Sequence, residues 1–103
     1  MKRISGFLLL TCLTTSIYAQ SPVIEQSLIF PLQAQHAHGS SLVELPNGDY
    51  LAAWFLGSGE RTADDVKIMG ARLIKGKQKW SEPFLLADTP GIPDCNPVLF
   101  LNK

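Results

Sequence analysis

The chain has few cysteines, no excess of either charge and no long apolar run, and each shortage excludes a class of protein. It contains only two cysteines, Cys12 and Cys95, which is too few for a disulfide scaffold. Its nine basic and nine acidic residues cancel, so no basic patch is available to bind nucleic acid. No apolar run reaches the roughly 18 residues that a membrane-spanning helix needs.

The first 19 residues have the pattern of a secretory signal peptide. Lys2 and Arg3 form a positively charged start, an apolar core follows over 7–13, and Ala19 stands at the expected cleavage site. We therefore predict a signal peptide over 1–19 and a secreted or periplasmic protein. A membrane anchor and a lipoprotein signal are alternatives that the short apolar core favours less.

Removal of the signal peptide changes the charge and the thiol content. The mature chain over 20–103 has a net charge of about −2 and retains Cys95 as its single thiol. We expect Cys95 to behave as a small buried apolar residue. We also expect no membrane contact after cleavage.

Two β-rich segments joined by Pro46-Asn47-Gly48-Asp49 predict a β-hairpin. Leu42–Leu45 precedes the turn and Tyr50–Phe55 follows it. Asn47 and Gly48 both tolerate positive φ, so we expect a two-residue primed turn. Because Tyr50–Phe55 is apolar throughout, this strand should be covered on both faces, with its aromatic residues in the core.

Further strands are predicted on both sides of the hairpin. The polar segment 33–39 indicates a loop that contains His36 and His38. Trp80 is expected in the core. Strands are predicted within 23–30, over 65–74, over 84–87, and from 97 to 101.

A weak internal repeat is also present. Leu42–Leu45 and Val98–Leu101 are alike and lie 56 positions apart. A period near 50 is typical of propeller blades. The spacing alone leaves an independent five- or six-stranded sandwich equally open.

Three motifs follow one another in an informative order: Ser40–Phe55, Trp80-Ser81-Glu82-Pro83, and Asn96–Phe100. Together they resemble the start of the sialidase (neuraminidase) superfamily, in its bacterial-neuraminidase-repeat branch. The resemblance implies an all-β fold: the first blade and the start of the second blade of a six-bladed β-propeller. It also implies an exo-acting glycoside hydrolase that removes a terminal sugar from a glycan substrate, and we expect no cofactor.

The resemblance implies that the loop 60–65 holds catalytic groups. In the family this loop provides the acid/base aspartate, preceded by an arginine that binds the substrate. The matching residues are Asp65, which we prefer, or Asp64 as the acid/base, and Arg61 as the substrate-binding residue. Glu60 is a further candidate in the same loop. An acid that protonates a leaving group needs a raised pKa, which burial or a neighbouring carboxylate provides. The alternative is a solvated acidic loop without a role.

Two further residues are candidates for substrate contact. His38 stands where the family has an arginine that binds the substrate carboxylate, and a neutral imidazole lacks that bidentate fork. The identity of the sugar therefore stays open. We predict that His38 and Asn96 contact substrate, with a plain polar loop as the alternative for His38. The pair His36 and His38 has no third ligand at a defined spacing, so we assign no metal.

The remaining family signatures are incomplete in this sequence. Leu73–Trp80 takes the place of the family's Asp-box turn and keeps only Gly76 and Trp80. The family's tyrosine nucleophile comes from later blades, and neither Tyr18 nor Tyr50 is placed to replace it. We therefore expect the 103-residue chain to be inactive and marginally stable without further blades. A non-catalytic carbohydrate-binding propeller and a truncated, inactive product are the alternatives.

Overall fold

The computed structural model of the chain describes residues 20–59 and 62–102. The predicted signal peptide, Glu60 and Arg61 lie outside these residues. The described part is all-β and contains no helix, hence none long and apolar enough to cross a membrane. Its four strands are β1 (His36–Glu44), β2 (Tyr50–Gly57), β3 (Lys67–Leu73) and β4 (Phe84–Ala87).

The strands form one open antiparallel sheet in the order β1-β2-β3-β4. The predicted hairpin and the two strands that follow it are confirmed, and β4 has the predicted bounds. Three predictions are wrong. His36 and His38 lie in β1 and not in a loop, and neither 23–30 nor 97–101 is a strand. These last two segments have β-rich sequences, but they pair with no strand among the described residues, and a strand requires a hydrogen-bonded partner.

The turn between β1 and β2 also differs from the prediction. The N–H of Gly48 donates to the carbonyl of Leu45 at 2.8 Å, and the N–H of Leu45 donates to the carbonyl of Asp49 at 2.7 Å. Gly48 has a φ of 83°, whereas Asn47 does not have positive φ. The connection is therefore a three-residue loop closed by a glycine. Pro46 explains the difference, because its fixed φ suits the first corner of an ordinary turn and not of a type I′ turn.

A β-bulge interrupts β1 after its third residue. His38 pairs with Phe55 and Ser41 pairs with Ala53, so two residues of β1 oppose one residue of β2. Gly39 lies in the bulge with a φ of 60°, the conformation that makes glycine the usual residue in one class of bulge. The bulge therefore places His38 and Ser41 on one face, although their spacing would put them on opposite faces of a regular strand.

Each face of the sheet has its own apolar cluster. The Trp54 face consists of Ala52, Trp54, Leu56 and Ala71, packed against Ile29, Phe30, Met69 and Trp80. The Phe55 face consists of Ala53, Phe55, Val66 and Ile68, packed against Ala63, Cys95 and Leu99. Trp54 is 3% exposed and Phe55 is 1% exposed. The prediction that β2 is covered on both faces is confirmed. Trp80, predicted in the core, packs against the Trp54 face but is only half-buried.

The C-terminal segment lies across the Phe55 face without forming a strand. The N–H of Asp94 donates to the carbonyl of Val66 at 2.9 Å, and the N–H of Leu99 donates to Oγ of Ser41 at 3.0 Å. Leu99 is half-buried, while Val98 and Phe100 are each 78% exposed. The segment therefore turns one side toward the sheet and the other toward solvent.

Candidate functional site

The predicted site residues within the described part come from elements at one end of the sheet, which we call the loop end. His36 at the start of β1 pairs with Gly57 at the end of β2, and Lys67 at the start of β3 pairs with Leu56. The β2–β3 loop, the start of β1 and the linker after β4 therefore meet at this end. Glu60 and Arg61 lie outside the described residues.

His38 and Asn96, the two predicted substrate contacts, both lie beside the bulge at Gly39. The ring of His38 stacks on that of Phe55 with a centroid distance of 5.7 Å and an interplanar angle of 15°. A Cβ placed on Gly39 would lie 3.0 Å from Oδ1 of Asn96 and 3.0 Å from Cε1 of Phe55. His38 and Asn96 are both exposed. The bulge thus brings two polar side chains from distant parts of the sequence to one accessible place.

Asn96 also has an unusual backbone conformation. Its φ is 51°, and it is the one non-glycine residue with positive φ in the part of the chain that the structure describes. Asparagine tolerates this region better than most residues, but the conformation still carries strain. Such outliers are often found at functional sites, and the contact of Asn96 with a ligand stays a prediction.

Asp65, the preferred acid/base candidate, binds the backbone and side chain of Ser58. The N–H of Ser58 donates to both carboxylate oxygens at 3.1 and 3.2 Å, and Oγ of Ser58 donates to Oδ1 at 2.9 Å. These hydrogen bonds, the one from the Ser58 backbone first, lower the pKa of Asp65. A general acid needs the opposite direction. Asp64, next to it, is exposed on the same loop.

The linker after β4 is closed by a similar pair of contacts. The N–H of Thr89 donates to Oδ2 of Asp94 at 2.6 Å, and Oγ1 of Thr89 donates to Oδ1 at 2.9 Å. The Asp94 N–H that binds Val66 then ties the linker to the residue just before β3. The loop end is consequently held by local side-chain contacts as well as by strand pairing.

The opposite end of the sheet, which we call the turn end, contains an ion pair that the sequence analysis missed. Asp49 is 5% exposed and accepts hydrogen bonds from Nε of Arg72 at 2.8 Å and from the N–H of Lys75 at 2.8 Å. Nη2 of Arg72 also lies 2.6 Å from Oδ2 of Asp49. The hydrogen bond from Lys75 is the main cause that lowers the pKa of Asp49. The only sequence signal is an acid directly after an Asn-Gly pair.

A cavity of about 460 Å³ lies away from the predicted catalytic residues. It is formed between the segment 27–35 and the Trp54 face, and it reaches β1 at 37–40. Trp54 lines it, and the indole N–H of Trp54 is buried without a hydrogen-bond partner among the described residues. Neither Asp64 nor Asp65 contributes to this cavity. Within the described residues, no group of three or more His, Cys, Asp or Glu side chains is arranged to hold a metal ion.

Compared with protein-family models, curated proteins and solved structures, the chain matches none of them. The resemblance to the sialidases therefore stays a prediction, based on the motifs of this sequence.

Proposed function

We propose that this chain is the N-terminal part of an exported exo-acting glycoside hydrolase of the sialidase type. The observation that best supports the proposal is the four-stranded antiparallel sheet with His38, Asp64, Asp65 and Asn96 all on elements that meet at its loop end. In this proposal the sheet is the first blade of a six-bladed propeller. The segment 94–101, which lies over the Phe55 face, begins the second blade.

In the proposed reaction, each candidate residue has a role that suits its chemistry. His38 and Asn96 bind hydroxyl groups of the terminal sugar of a glycan, and Arg61 binds an acidic substituent on it, with Glu60 as a further contact. Asp64 or Asp65 protonates the leaving oxygen while a tyrosine from later blades, as in the family, bonds to the anomeric carbon, and water then releases the sugar from that tyrosine. Because Ser58 stabilises the ionised form of Asp65, we favour Asp64 as the proton donor and assign Asp65 to holding the loop.

A non-catalytic carbohydrate-binding propeller is the second candidate function. The specific observation in its favour is the lowered pKa of Asp65, whose oxygens are occupied by Ser58. A loop that binds a sugar without hydrolysing it needs no proton donor. This function retains His38 and Asn96 as sugar contacts.

Aryl glycosides with good and poor leaving groups test the proposal on the complete gene product. A poor leaving group requires protonation, so Asp64→Asn should slow its release by about 10²-fold or more, with little effect on a good leaving group. Asp65→Asn should have a smaller effect on both substrates. Asp88→Asn, a substitution at an exposed linker residue, is the matched control and should change neither rate.

The two candidate functions give different results in the same experiment. If the wild-type protein hydrolyses no glycoside but binds glycans on an array, and His38→Ala abolishes that binding, the binding module is the correct function. Absence of both hydrolysis and glycan binding would overturn both proposals.

A further inference from the structure

The two histidines of this chain lie in a strand, and this changes what their spacing means. In a loop, an H-x-H pair has no defined geometry. In a β-strand, residues i and i+2 project from the same face. His36 and His38 both precede the bulge in β1, so both belong to the Phe55 face.

The two imidazole rings are close enough for both to reach one metal ion. The two imidazole rings lie 5.9 Å apart between centroids, with an interplanar angle of 26°. Metal–nitrogen bonds of about 2.0 Å at a tetrahedral angle would separate two ring centroids by roughly 5 Å. Metal–nitrogen bonds lie in the plane of the imidazole, so the exposed ring of His36 must turn out of its stacked orientation before a nitrogen of each ring can reach one ion.

The ring of His38 is also held in place by a buried aromatic ring. Its ring stacks on Phe55, which is 1% exposed and fixed in the core of the sheet. An ordered ligand loses less conformational entropy when a metal binds than a free side chain does. The ring of His38 is therefore held in place, and the ring of His36 is the one that must turn to complete the pair.

We propose that His36 and His38 form a two-imidazole site for a borderline divalent transition metal such as Zn²⁺, Ni²⁺ or Cu²⁺. Imidazole nitrogen is a preferred ligand of all three ions. Within residues 20–59 and 62–102 no group of three metal-binding side chains is found, so we expect the two imidazoles to be the protein ligands that these residues supply. This inference does not depend on the proposed glycosidase function.

Metal titration of the 103-residue chain tests the site. The chain has only two histidines, so its two imidazole Cε1–H signals in an NMR spectrum belong to this pair. Addition of one equivalent of Zn²⁺ should shift both signals together. His36→Asn and His38→Asn should each weaken binding, measured by calorimetry, by at least the roughly tenfold that even an outer-shell substitution costs.

Matched variants distinguish binding by the two imidazoles from binding by the two thiols. Cys12→Ser and Cys95→Ser remove the thiols and should leave the Zn²⁺ affinity unchanged. His36 is exposed, so His36→Asn should preserve the circular dichroism spectrum and the unfolding midpoint. The proposal is overturned if either histidine variant keeps its affinity within about twofold. It is equally overturned if a cysteine variant abolishes binding.

Discussion

The two ends of the sheet differ in how far their polar side chains are exposed to solvent. At the turn end, Asp49 is buried, and both of its carboxylate oxygens accept hydrogen bonds, from Lys75 and from Arg72 and Asn47. At the loop end, Asp65 and His38 are exposed. A buried carboxylate is tolerated only when it is fully paired, and the contacts at the turn end meet that condition. The loop end retains accessible polar groups, which is what a binding site needs.

Backbone strain is also distributed unequally between the two ends. Positive φ at the turn end occurs at Gly48 and Gly76, where glycine adopts it at little cost. At the loop end it occurs at Gly39 in the bulge, at Gly91 in the linker after β4, and at Asn96, a residue with a side chain. The positive φ of Asn96 and the register shift beside His38 show that the backbone departs from regular strand geometry at the loop end.

The largest effect is expected when the buried ring of Phe55, on which His38 stacks, is removed. Phe55→Ala should lower the free energy of unfolding by about 3–5 kcal/mol, because it leaves a cavity under His38 and the C-terminal segment. Leu85→Ala, at a residue that is 54% exposed, should cost about 0.5 kcal/mol or less. Urea unfolding measures both. Equal losses of unfolding free energy in the two variants would show that Phe55 does not support the loop end.

A pair of glycine substitutions compares the two ends directly. Gly39→Ala should destabilise the chain by about 1–3 kcal/mol, because the new Cβ meets Asn96 and Phe55 at 3.0 Å in a backbone with positive φ. Gly76→Ala has the same backbone requirement, but nothing lies within 4 Å of its Cβ. It should cost about 1 kcal/mol, as measured by thermal unfolding. A larger loss for Gly76→Ala would contradict the close packing of the bulge.

The loss of stability at acidic pH should distinguish Asp49 from Asp65. Both have a pKa lowered from the ordinary value of 3.8, so each stabilises the fold when ionised. This stability is present above pH 3.8 and is lost as the pH falls through the lower, folded-state pKa. The unfolding free energy should therefore depend less on pH between about pH 5 and pH 2 in Asp49→Asn than in Asp65→Asn, because Asp65 is exposed and its charge matters less.

Urea midpoints across this pH range measure the difference between the two variants. At about pH 7, Asp49→Asn should also be less stable than Asp65→Asn, because it leaves Arg72 without its partner. Identical pH profiles for the two variants would show that the two ends hold their carboxylates in the same way.

The smallest effects are expected in the segment that covers the loop end. Leu99→Ser should cost about 1 kcal/mol, because Leu99 is half-buried on the Phe55 face. Phe100→Ser should change the free energy of unfolding by about 0.5 kcal/mol or less, because Phe100 is 78% exposed. A large loss for Phe100→Ser would mean that this outward side is covered in solution.

The sequence by itself determined the local features of this protein. The apolar run Tyr50–Phe55 predicted a central, two-sided strand, and the turn residues after Leu45 predicted a hairpin. The segment 84–87 predicted a strand at its observed bounds. Each of these depends on side-chain periodicity and turn chemistry, which are encoded within a few neighbouring residues.

Only the tertiary structure decided which segments pair and which polar groups meet. His36 belongs to β1 because Gly57 offers it a backbone partner, whereas the β-rich segment 97–101 has no such partner among the described residues. Asp49 and Arg72 lie 23 positions apart, and their contact depends on the register of β2 against β3. Strand pairing is non-local, so its hydrogen bonds and the side chains it brings together cannot be found in any short stretch of sequence.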